Sequence, residues 1–214
     1  MNSIKAILFD VDGTLVNTDE SIYAGLEYTL KKFSLPCPGR DTLKNYFSKT
    51  LARMFAELAP TGPQEEMLHM HRTFQKEHIE LNKEFPGVRE TLAFLREQGF
   101  VLGAISNRTS HTMHDILAHV GIDTFFATVI TADQITKPKP DPESLLKCLS
   151  ILECSPIDAM MVGDAWSDIE AGKLAGMATC AVLSGPQGDK VLEAGPNHVL
   201  KTAAELPSLF VYST

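Results

Sequence analysis

The stretch IKAILFDVDGTL, residues 4–15, decides the fold of this chain. Its first part, residues 4–11, is a short apolar run with β-branched and aromatic side chains, which predicts a buried strand. Two aspartates, Asp10 and Asp12, stand at the end of this run, and a glycine and a threonine follow them. In an open parallel sheet, ligands bind at the carboxyl ends of the strands. Polar residues that directly follow a strand are therefore candidates for a functional site.

From residue 84 onward the sequence alternates between helical and strand patterns. Segments with helical spacing of apolar residues predict helices over 88–99, 111–121, 141–153 and 167–176. The short apolar runs between them predict strands over 100–106, 126–131, 158–163 and 177–183. Strands that alternate with crossover helices form parallel sheets, so the pattern predicts an α/β fold with a doubly wound, Rossmann-like sheet.

The section between the first strand and this alternation has a different character. Three segments carry apolar residues near helical spacing: residues 18–33, 41–58 and 64–81. Turns that contain proline and glycine separate them, and no convincing strand pattern lies among them. We predict a Rossmann-like catalytic core formed by residues 1–16 and 84–214, with an all-helical cap domain, residues 17–83, inserted into it. Residues 14–18 and 82–87 are the predicted hinges between the two.

The composition is that of an ordinary globular protein, and it argues against some classes. The chain has 214 residues, and 27 acidic against 19 basic residues give it a net charge of −8. This excess disfavours a nucleic-acid binder, which concentrates lysine and arginine on one face. No apolar run approaches a membrane span, and the first residues lack a signal-peptide pattern. We expect a cytoplasmic protein with reduced cysteines and a small-molecule partner, with no nucleic acid and no membrane; the oligomeric state is left open.

Polar clusters follow three further predicted strands. Ser106 and Asn107 stand at the end of one strand, and Lys137 comes shortly after the next. Asp164 follows the third strand, and Asp168 is four residues further on. The carboxyl ends of parallel strands meet at one edge of the sheet, so these side chains are expected to join the two aspartates of the first strand.

These residue types suit phosphoryl transfer. The reaction needs a nucleophile, groups that neutralise the phosphate oxygens, and a proton for the leaving oxygen. A carboxylate attacks phosphorus and forms an acyl phosphate, provided that the negative charge of the phosphate is offset. Magnesium prefers oxygen ligands such as carboxylates and backbone carbonyls, while a lysine and a hydroxyl hold the remaining phosphate oxygens. The clusters therefore predict a magnesium-dependent enzyme that transfers a phosphoryl group.

Four motifs in this order resemble those of the haloacid dehalogenase-like hydrolase superfamily, and within it the phosphoglycolate-phosphatase-like group. They are FDVDGTLVNTD at 9–19, SN at 106–107, KPKPDPE at 137–143 and VGDAWSDIEAGKLAGM at 162–177. The match extends over most of the chain, roughly from residue 4 to 185, and the combination of motifs is highly specific. The resemblance implies a phosphatase that hydrolyses a small phosphate monoester through an aspartyl-phosphate intermediate.

The resemblance also implies roles for the acidic residues. Asp10 is the expected nucleophile and a magnesium ligand. Asp12 is the expected general acid and then the base that activates water, with its backbone carbonyl on the metal. Asp164 is expected to bind magnesium directly, and Thr14 to orient Asp12.

The same resemblance assigns the phosphate-binding residues. Ser106 and the backbone amide of Asn107 are expected to bind phosphate oxygens. Lys137 is expected to neutralise the nucleophile and the transferring group, with Asp168 as its partner or as an outer support of the metal. Lys139, two residues from Lys137, is interpreted as a surface lysine.

Substrate selection is expected in the cap, in the loop that enters its second helix. Lys49, Thr50 and Arg53 are the candidates that read the leaving group. The sequence departs here from many members of the group, because Ser48 stands where they carry glycine, and this weakens an assignment of phosphoglycolate itself. A second departure is Ala165, where a serine or threonine often follows the aspartate of the fourth motif.

Several alternatives stay open at the level of sequence. Phosphoglycolate, pyrophosphate, a nucleotide and a sugar phosphate all remain candidate substrates. A phosphomutase of the β-phosphoglucomutase type would share the motifs and deliver the phosphoryl group to a sugar. A signalling receiver and an inactive binding protein are disfavoured by the inserted cap and by the intact motif set. The histidine pair His69 and His71 lacks a zinc-type ligand arrangement, so we interpret both as part of a solvated helix face.

Overall fold

The fold was analysed in a computed structural model that describes residues 4–47 and 49–210. Six strands form one sheet in the order β5–β4–β1–β6–β7–β8, and every neighbouring pair is parallel. These six strands are β1 (Ala6–Asp10), β4 (Val101–Ile105), β5 (Thr128–Ile130), β6 (Ala159–Gly163), β7 (Ala178–Val182) and β8 (His198–Leu200). Two further short strands, β2 (Val16–Asn17) and β3 (Lys83–Glu84), pair with each other. The predicted doubly wound α/β fold is confirmed, and β8 is a strand that the sequence patterns did not predict.

Helices connect these strands and also form the long insertion after β2. They are α1 (Asp19–Lys32), α2 (Arg40–Leu43), α3 (Leu51–Leu58), α4 (Gln64–Glu77), α5 (Val88–Glu97), α6 (Ser110–Val120), α7 (Glu143–Ile151) and α8 (Trp166–Ala175). As the sequence predicts, α6 ends at Gly121, whose left-handed φ of 69° suits glycine. In the described ranges no helix is both long and apolar enough to pass through a bilayer.

The central strand β1 is buried on both faces. Its residues alternate between two apolar clusters: Ile7 and Phe9 pack in one, and Ala6 and Leu8 in the other. Helices α5 and α6 contribute to the first cluster, whereas α7 and α8 contribute to the second. This two-sided burial explains why the first strand reads as a continuous apolar run. The neighbours of β1 are β4 and β6, so the chain order reverses beside it, which is where an open α/β sheet binds ligands.

The helical insert, residues 19–81, has an apolar core of its own. Ile22, Leu26, Phe55 and Met67 are among its buried members. The insert is joined to the sheet through a two-stranded antiparallel ribbon in which β2 pairs with β3. Both predicted hinges include residues of this ribbon. The sequence did not predict the ribbon, because strands of two residues leave no recognisable pattern. The domain boundaries at residues 17 and 83 stay a prediction.

The segment 41–58, whose apolar residues lie near helical spacing, does not form one continuous helix. The structure has the short α2, a 3₁₀ turn over Lys44–Tyr46, and then a new helix that begins after Thr50. Thr50 is extended, with ψ of 149°, and its hydroxyl accepts a hydrogen bond from the Arg53 amide at 3.4 Å. A threonine that caps a new helix in this way interrupts an otherwise helical spacing. Ser48, at the break, lies outside the described residues.

Candidate active site

A cavity of about 310 Å³ lies between the carboxyl edge of the sheet and the helical insert. The core contributes Asp10, Asp164 and Lys139 to its lining, among others. The insert contributes Thr50 and Gln75, so groups from both parts of the chain face the same space. This is the site that the polar clusters at the strand ends predict.

Three buried carboxylates form the floor of the cavity. Asp10, Asp164 and Asp168 each place a carboxylate oxygen within 4.8 Å of the others, and none is more than 8% exposed. Burial raises the pKa of Asp10 to about 8, and Lys139 only partly offsets this. Burial, followed by the charges of the neighbouring carboxylates, raises the pKa of Asp164 well above its ordinary range. Such a crowded acidic cluster has the charge and the oxygen donors to hold a cation.

Lys139 supplies the positive charge inside this cluster. Its Nζ lies 2.5 Å from Asp10 Oδ1 and 2.6 Å from Asp168 Oδ1, and its side chain is 2% exposed. Burial alone would lower the pKa of Lys139, but the two carboxylates outweigh that effect and raise the pKa above its ordinary value. The ammonium group therefore stays charged and joins the end of β1 to the start of α8.

The structure corrects the sequence-based choice between two lysines. The sequence predicts Lys137 in the site, yet its side chain is 71% exposed and its ammonium group lies 3.8 Å from Asp141. Its backbone amide is also bound by Glu143, at 2.8 Å. Lys139, interpreted as a surface lysine, is the one that reaches Asp10. Each lysine stands directly before a proline in TKPKPDPE, so the local sequence carries no signal that separates them.

Asp164 is bound by a threonine hydroxyl and lies in space that two glycines leave open. Thr14 Oγ1 donates to Asp164 Oδ1 at 2.9 Å. Thr14 therefore orients Asp164, whereas the sequence predicts that it orients Asp12. A Cβ atom added at Gly185 would lie 1.8 Å from Asp164 Oδ2, and one at Gly13 would lie 2.6 Å from the same atom. Gly13 also has a φ of +86°. Gly185, which the sequence interpretation missed, therefore leaves the space that this carboxylate occupies.

Both oxygens of Asp168 already have partners. Oδ1 faces Lys139, and Oδ2 accepts a hydrogen bond from the backbone amide of Ala165 at 3.1 Å. Asp168 thus orients Lys139 and the start of α8, whereas the sequence interpretation gave it Lys137 as its possible partner. The backbone of Ala165 makes this contact, so the missing hydroxyl at that position does not disturb it. Trp166 is 44% exposed and is not among the described residues that line the cavity.

Asp12 has a partner that the sequence interpretation missed. Arg108 Nε donates to Asp12 Oδ1 at 2.7 Å, while the Ser106 hydroxyl lies 3.3 Å from Asp12 Oδ2. Arg108 Nη1 also donates to Gln75 Oε1 of the insert, at 3.1 Å. Arg108 directly follows Asn107, which lines the cavity, so its position after a strand was the signal available in the sequence.

The three cap candidates separate in the structure. Lys49 and Thr50 line the cavity, and Lys49 is paired with Glu57. Arg53 is not among the described lining residues; its side chain is 70% exposed and also binds Glu57, at 3.0 Å. The structure therefore brings two of the three candidates to the site.

His71 lies in the cavity wall, not on a solvated helix face as expected. It is 1% exposed, and its ring makes an edge contact with Phe55 at a centroid distance of 5.7 Å. Burial lowers the pKa of His71 to about 3, so the ring is neutral at pH 7. The ring lies against Gly25, where a Cβ would come within 2.7 Å of it, so the glycine makes room for the histidine. His69, two residues away, is exposed as predicted.

A divalent cation fits the donor set of the cavity floor. Asp10 and Asp164 offer carboxylate oxygens of the kind that magnesium and similar hard cations prefer. The three carboxylates and Lys139 together carry a formal charge of −2 when all are ionised, which a divalent ion would offset. The Thr14 hydrogen bond orients Asp164, as a metal ligand requires, and the missing side chains at Gly13 and Gly185 leave room for its carboxylate.

The sheet carries an acidic cluster and a buried lysine at its carboxyl edge, an arrangement suited to an α/β enzyme that acts on phosphate groups. The sequence model of the family described as haloacid dehalogenase-like hydrolase matches residues 7–182. The chain belongs to this family, and it is a hydrolase of the phosphatase class.

Relatives match almost the whole length of the chain. Pyrophosphatase PpaX from Bacillus velezensis is 38% identical over 208 residues, covering 95% of this chain and 94% of that protein. Pyrophosphatase PpaX from Listeria welshimeri is 36% identical over 207 residues, with coverage of 95% and 94%. A solved structure of a haloacid dehalogenase-like protein from Bacteroides fragilis superposes with a TM-score of 0.88 at 25% identity, covering 95% of this chain and 100% of that one.

Proposed function

We propose that this chain is a magnesium-dependent phosphatase that hydrolyses a small phosphorylated molecule through an aspartyl phosphate on Asp10. The observation that carries the proposal is the position of Lys139, which is buried between Asp10 and Asp168 and beside Asp164. A carboxylate that must attack an anion needs positive charge at that place. Neither a structural ion pair nor a helix cap requires a third buried carboxylate at the same point.

In the first step, a carboxylate oxygen of Asp10 attacks phosphorus while the bond between phosphorus and the leaving oxygen breaks. The leaving oxygen takes a proton from Asp12, and an acyl phosphate remains on Asp10. Lys139 stays beside both groups and offsets their charge, and Ser106 and the amide of Asn107 are the proposed ligands of the phosphate oxygens. Magnesium bound by Asp10, the Asp12 carbonyl and Asp164 would neutralise further phosphate charge.

In the second step, water attacks the acyl phosphate and gives its proton to Asp12. The bond between phosphorus and the Asp10 oxygen breaks, phosphate leaves, and both aspartates return to their starting states. Gln75 and Thr50 of the insert face the same cavity, so the insert covers the site and limits the access of water. We propose that the ribbon of β2 and β3 is the hinge at which the insert opens to release product.

Inorganic pyrophosphate is the substrate that the comparisons favour. Relatives at 38% and 36% identity over nearly the full chain carry the name pyrophosphatase. Four cationic side chains line the cavity, namely Lys49, Arg72, Arg108 and Lys139. Six aspartates line it as well, so the proposed magnesium ion would supply part of the positive charge that a molecule with several negative charges needs. A monoester such as phosphoglycolate and a sugar phosphate handled by a phosphomutase are the competing substrates. Both are included in the test.

The test is phosphate release from a panel that contains pyrophosphate, phosphoglycolate and sugar phosphates, with and without magnesium. We expect turnover only with a divalent cation, and a loss of at least about 10³-fold in kcat for Asp10→Asn, which removes the nucleophile. The variant keeps the size of the side chain, and a thermal melt checks that it is folded. Near-full turnover by Asp10→Asn would sink the proposal, whereas transfer to a sugar without phosphate release would favour the phosphomutase.

A further inference from the structure

Arg108 has hydrogen-bonding capacity that the protein does not use. Its Nε binds Asp12 and its Nη1 binds Gln75, whereas Nη2 is buried and has no acceptor among the described residues. The side chain is only 12% exposed and belongs to the cavity lining. A buried guanidinium nitrogen without an acceptor is unfavourable, and an oxygen of a bound ligand would satisfy it.

The surroundings of Arg108 suit an anion. Gln75, the partner of Arg108 on the insert, is neutral and so does not offset the positive charge of the guanidinium group. His71 is also close to Arg108, and burial lowers the pKa of that ring to about 3, so it neither competes for an anion nor adds charge of its own at pH 7. Asp12 is the one carboxylate bonded to this guanidinium in the described part of the chain. With Nε on Asp12 and Nη1 on Gln75, Nη2 is the guanidinium nitrogen that remains to donate to an oxygen of a bound anion such as a phosphate.

The lysine and the arginine of the site pair with different carboxylates. Lys139 lies between Asp10 and Asp168, next to the proposed nucleophile, whereas Arg108 lies on Asp12, the proposed proton donor. The transferring phosphoryl group meets Asp10, and the leaving oxygen meets Asp12. A ligand oxygen bound by Arg108 therefore belongs to the leaving group.

We propose that Arg108 is the residue that selects substrates whose leaving group is itself a phosphate. The inference rests on the proposed phosphatase function and names the substrate class of the same site, a diphosphate. In the reaction, Arg108 holds a non-bridging oxygen of the second phosphoryl group. The bond between the attacked phosphorus and the bridging oxygen breaks, that oxygen takes the proton of Asp12, and the second group leaves as phosphate. Water then releases the first phosphate from Asp10, so one diphosphate and one water give two phosphates.

The test compares ligands that differ only in the second anionic group. Methylenediphosphonate, which cannot be hydrolysed, imitates the diphosphate, and methylphosphonate imitates a single phosphoryl group. We expect Arg108→Met to weaken the binding of methylenediphosphonate by about 100-fold in the presence of magnesium, and that of methylphosphonate by less than about threefold. Arg108→Lys keeps the charge but loses the fork, so its loss should be intermediate. Calorimetry measures both affinities without any chemical step.

Kinetics provides the second readout. The leaving group of pyrophosphate is a phosphate anion, whereas the leaving group of glycerol 2-phosphate is an uncharged alcohol. Departure of the alcohol depends at least as strongly on protonation by Asp12. Arg108→Met should lower kcat/KM for pyrophosphate at least about tenfold more than for glycerol 2-phosphate. Arg96→Met is the matched control, because it removes one arginine outside the cavity lining and makes the same change in net charge.

The outcomes separate this inference from the proposed function. Equal losses for both ligands and both substrates would overturn the inference and leave Arg108 as a group that only positions Asp12. Wild-type enzyme that cleaves glycerol 2-phosphate and not pyrophosphate would also overturn it, while the phosphatase function stands. Failure of the phosphatase function itself would appear in the Asp10→Asn comparison. Thermal melts of both Arg108 variants show whether a loss comes from unfolding.

Discussion

The two walls of the cavity are held in different ways. The core wall, made of Asp10, Lys139, Asp164 and Asp168, consists of buried side chains that bind one another, the backbone or the buried Thr14 hydroxyl. The insert wall consists of Lys49 and Thr50, on the loop before α3, and of His71 and Gln75 on α4. Its Gln75 accepts a hydrogen bond from Arg108 of the core. The core wall has the rigidity that bond-making chemistry requires, and the insert wall has the independence that an opening lid requires.

The largest expected effect concerns the two lysines on either side of Pro138. Lys139→Met should lower kcat/KM by at least about 10³-fold, because it removes the charge beside the nucleophile and leaves Asp10 and Asp168 without it. Lys137→Met is the matched control and should stay within about twofold, since its ammonium group is exposed. Steady-state kinetics on the best substrate of the panel measures both.

The lysine pair also tests the comparison of the two walls. A Lys139→Met variant that melts near the wild-type temperature and has lost activity would mean that the core wall is rigid without its lysine. If Lys137→Met were the damaging change, the placement of the loop between β5 and α7 would be wrong. A strong loss of stability in Lys139→Met would instead reflect two buried carboxylates left unpaired.

The next effect concerns the space around Asp164. Gly185→Ala would place a Cβ 1.8 Å from Asp164 Oδ2, so the carboxylate must move away from the position at which it would bind a cation. We expect up to about 100-fold weaker magnesium activation, with a smaller loss of kcat at saturating magnesium. Gly39→Ala is the matched control, because nothing lies within 4 Å of an added Cβ there and its φ is −62°. Unchanged activation by magnesium in Gly185→Ala would argue against Asp164 as a ligand.

The sequence was sufficient to predict the fold and most of the core wall. The apolar run of β1 and the four motifs placed Asp10, Asp164 and Ser106 at one edge of one sheet, because parallel strands bring their ends together. It was not sufficient for Lys139, because two lysines in the same proline-rich loop differ only in their tertiary surroundings. The same limit hid Gly185, whose role depends on a carboxylate 21 residues earlier in the chain.

The insert wall was predicted less well for a physical reason. Its helices follow a spacing that identifies an apolar face but does not indicate what that face meets. His71 therefore looked like one of two solvated histidines, whereas the structure buries it against Gly25 and Phe55. Arg53 looked like a reader of the substrate, yet its side chain is exposed and pairs with Glu57 on the same helix. Arg108 was overlooked because its two contacts lie on different parts of the chain.

The smallest expected effect tests how firmly His71 is enclosed in the insert wall. Burial lowers the pKa of His71 to about 3, while an unfolded histidine has a pKa near 6.5. Below about pH 6.5 the unfolded state therefore binds a proton that the folded state does not, so stability is full above that pH and falls as the pH drops towards 3. Between pH 7 and pH 5 this should cost about 1–2 kcal/mol.

Urea unfolding at pH 7 and at pH 5 measures that difference. In His71→Gln the side chain no longer titrates, so the pH dependence should become smaller by about 1–2 kcal/mol, whatever the substitution does to stability at pH 7. His69→Gln is the matched control on the same helix, because His69 is exposed and its removal should leave the pH dependence unchanged. Equal pH dependence in wild type and His71→Gln would mean that the ring reaches solvent. The insert wall would then be open to water even without substrate, and the cavity would need the substrate itself to close it.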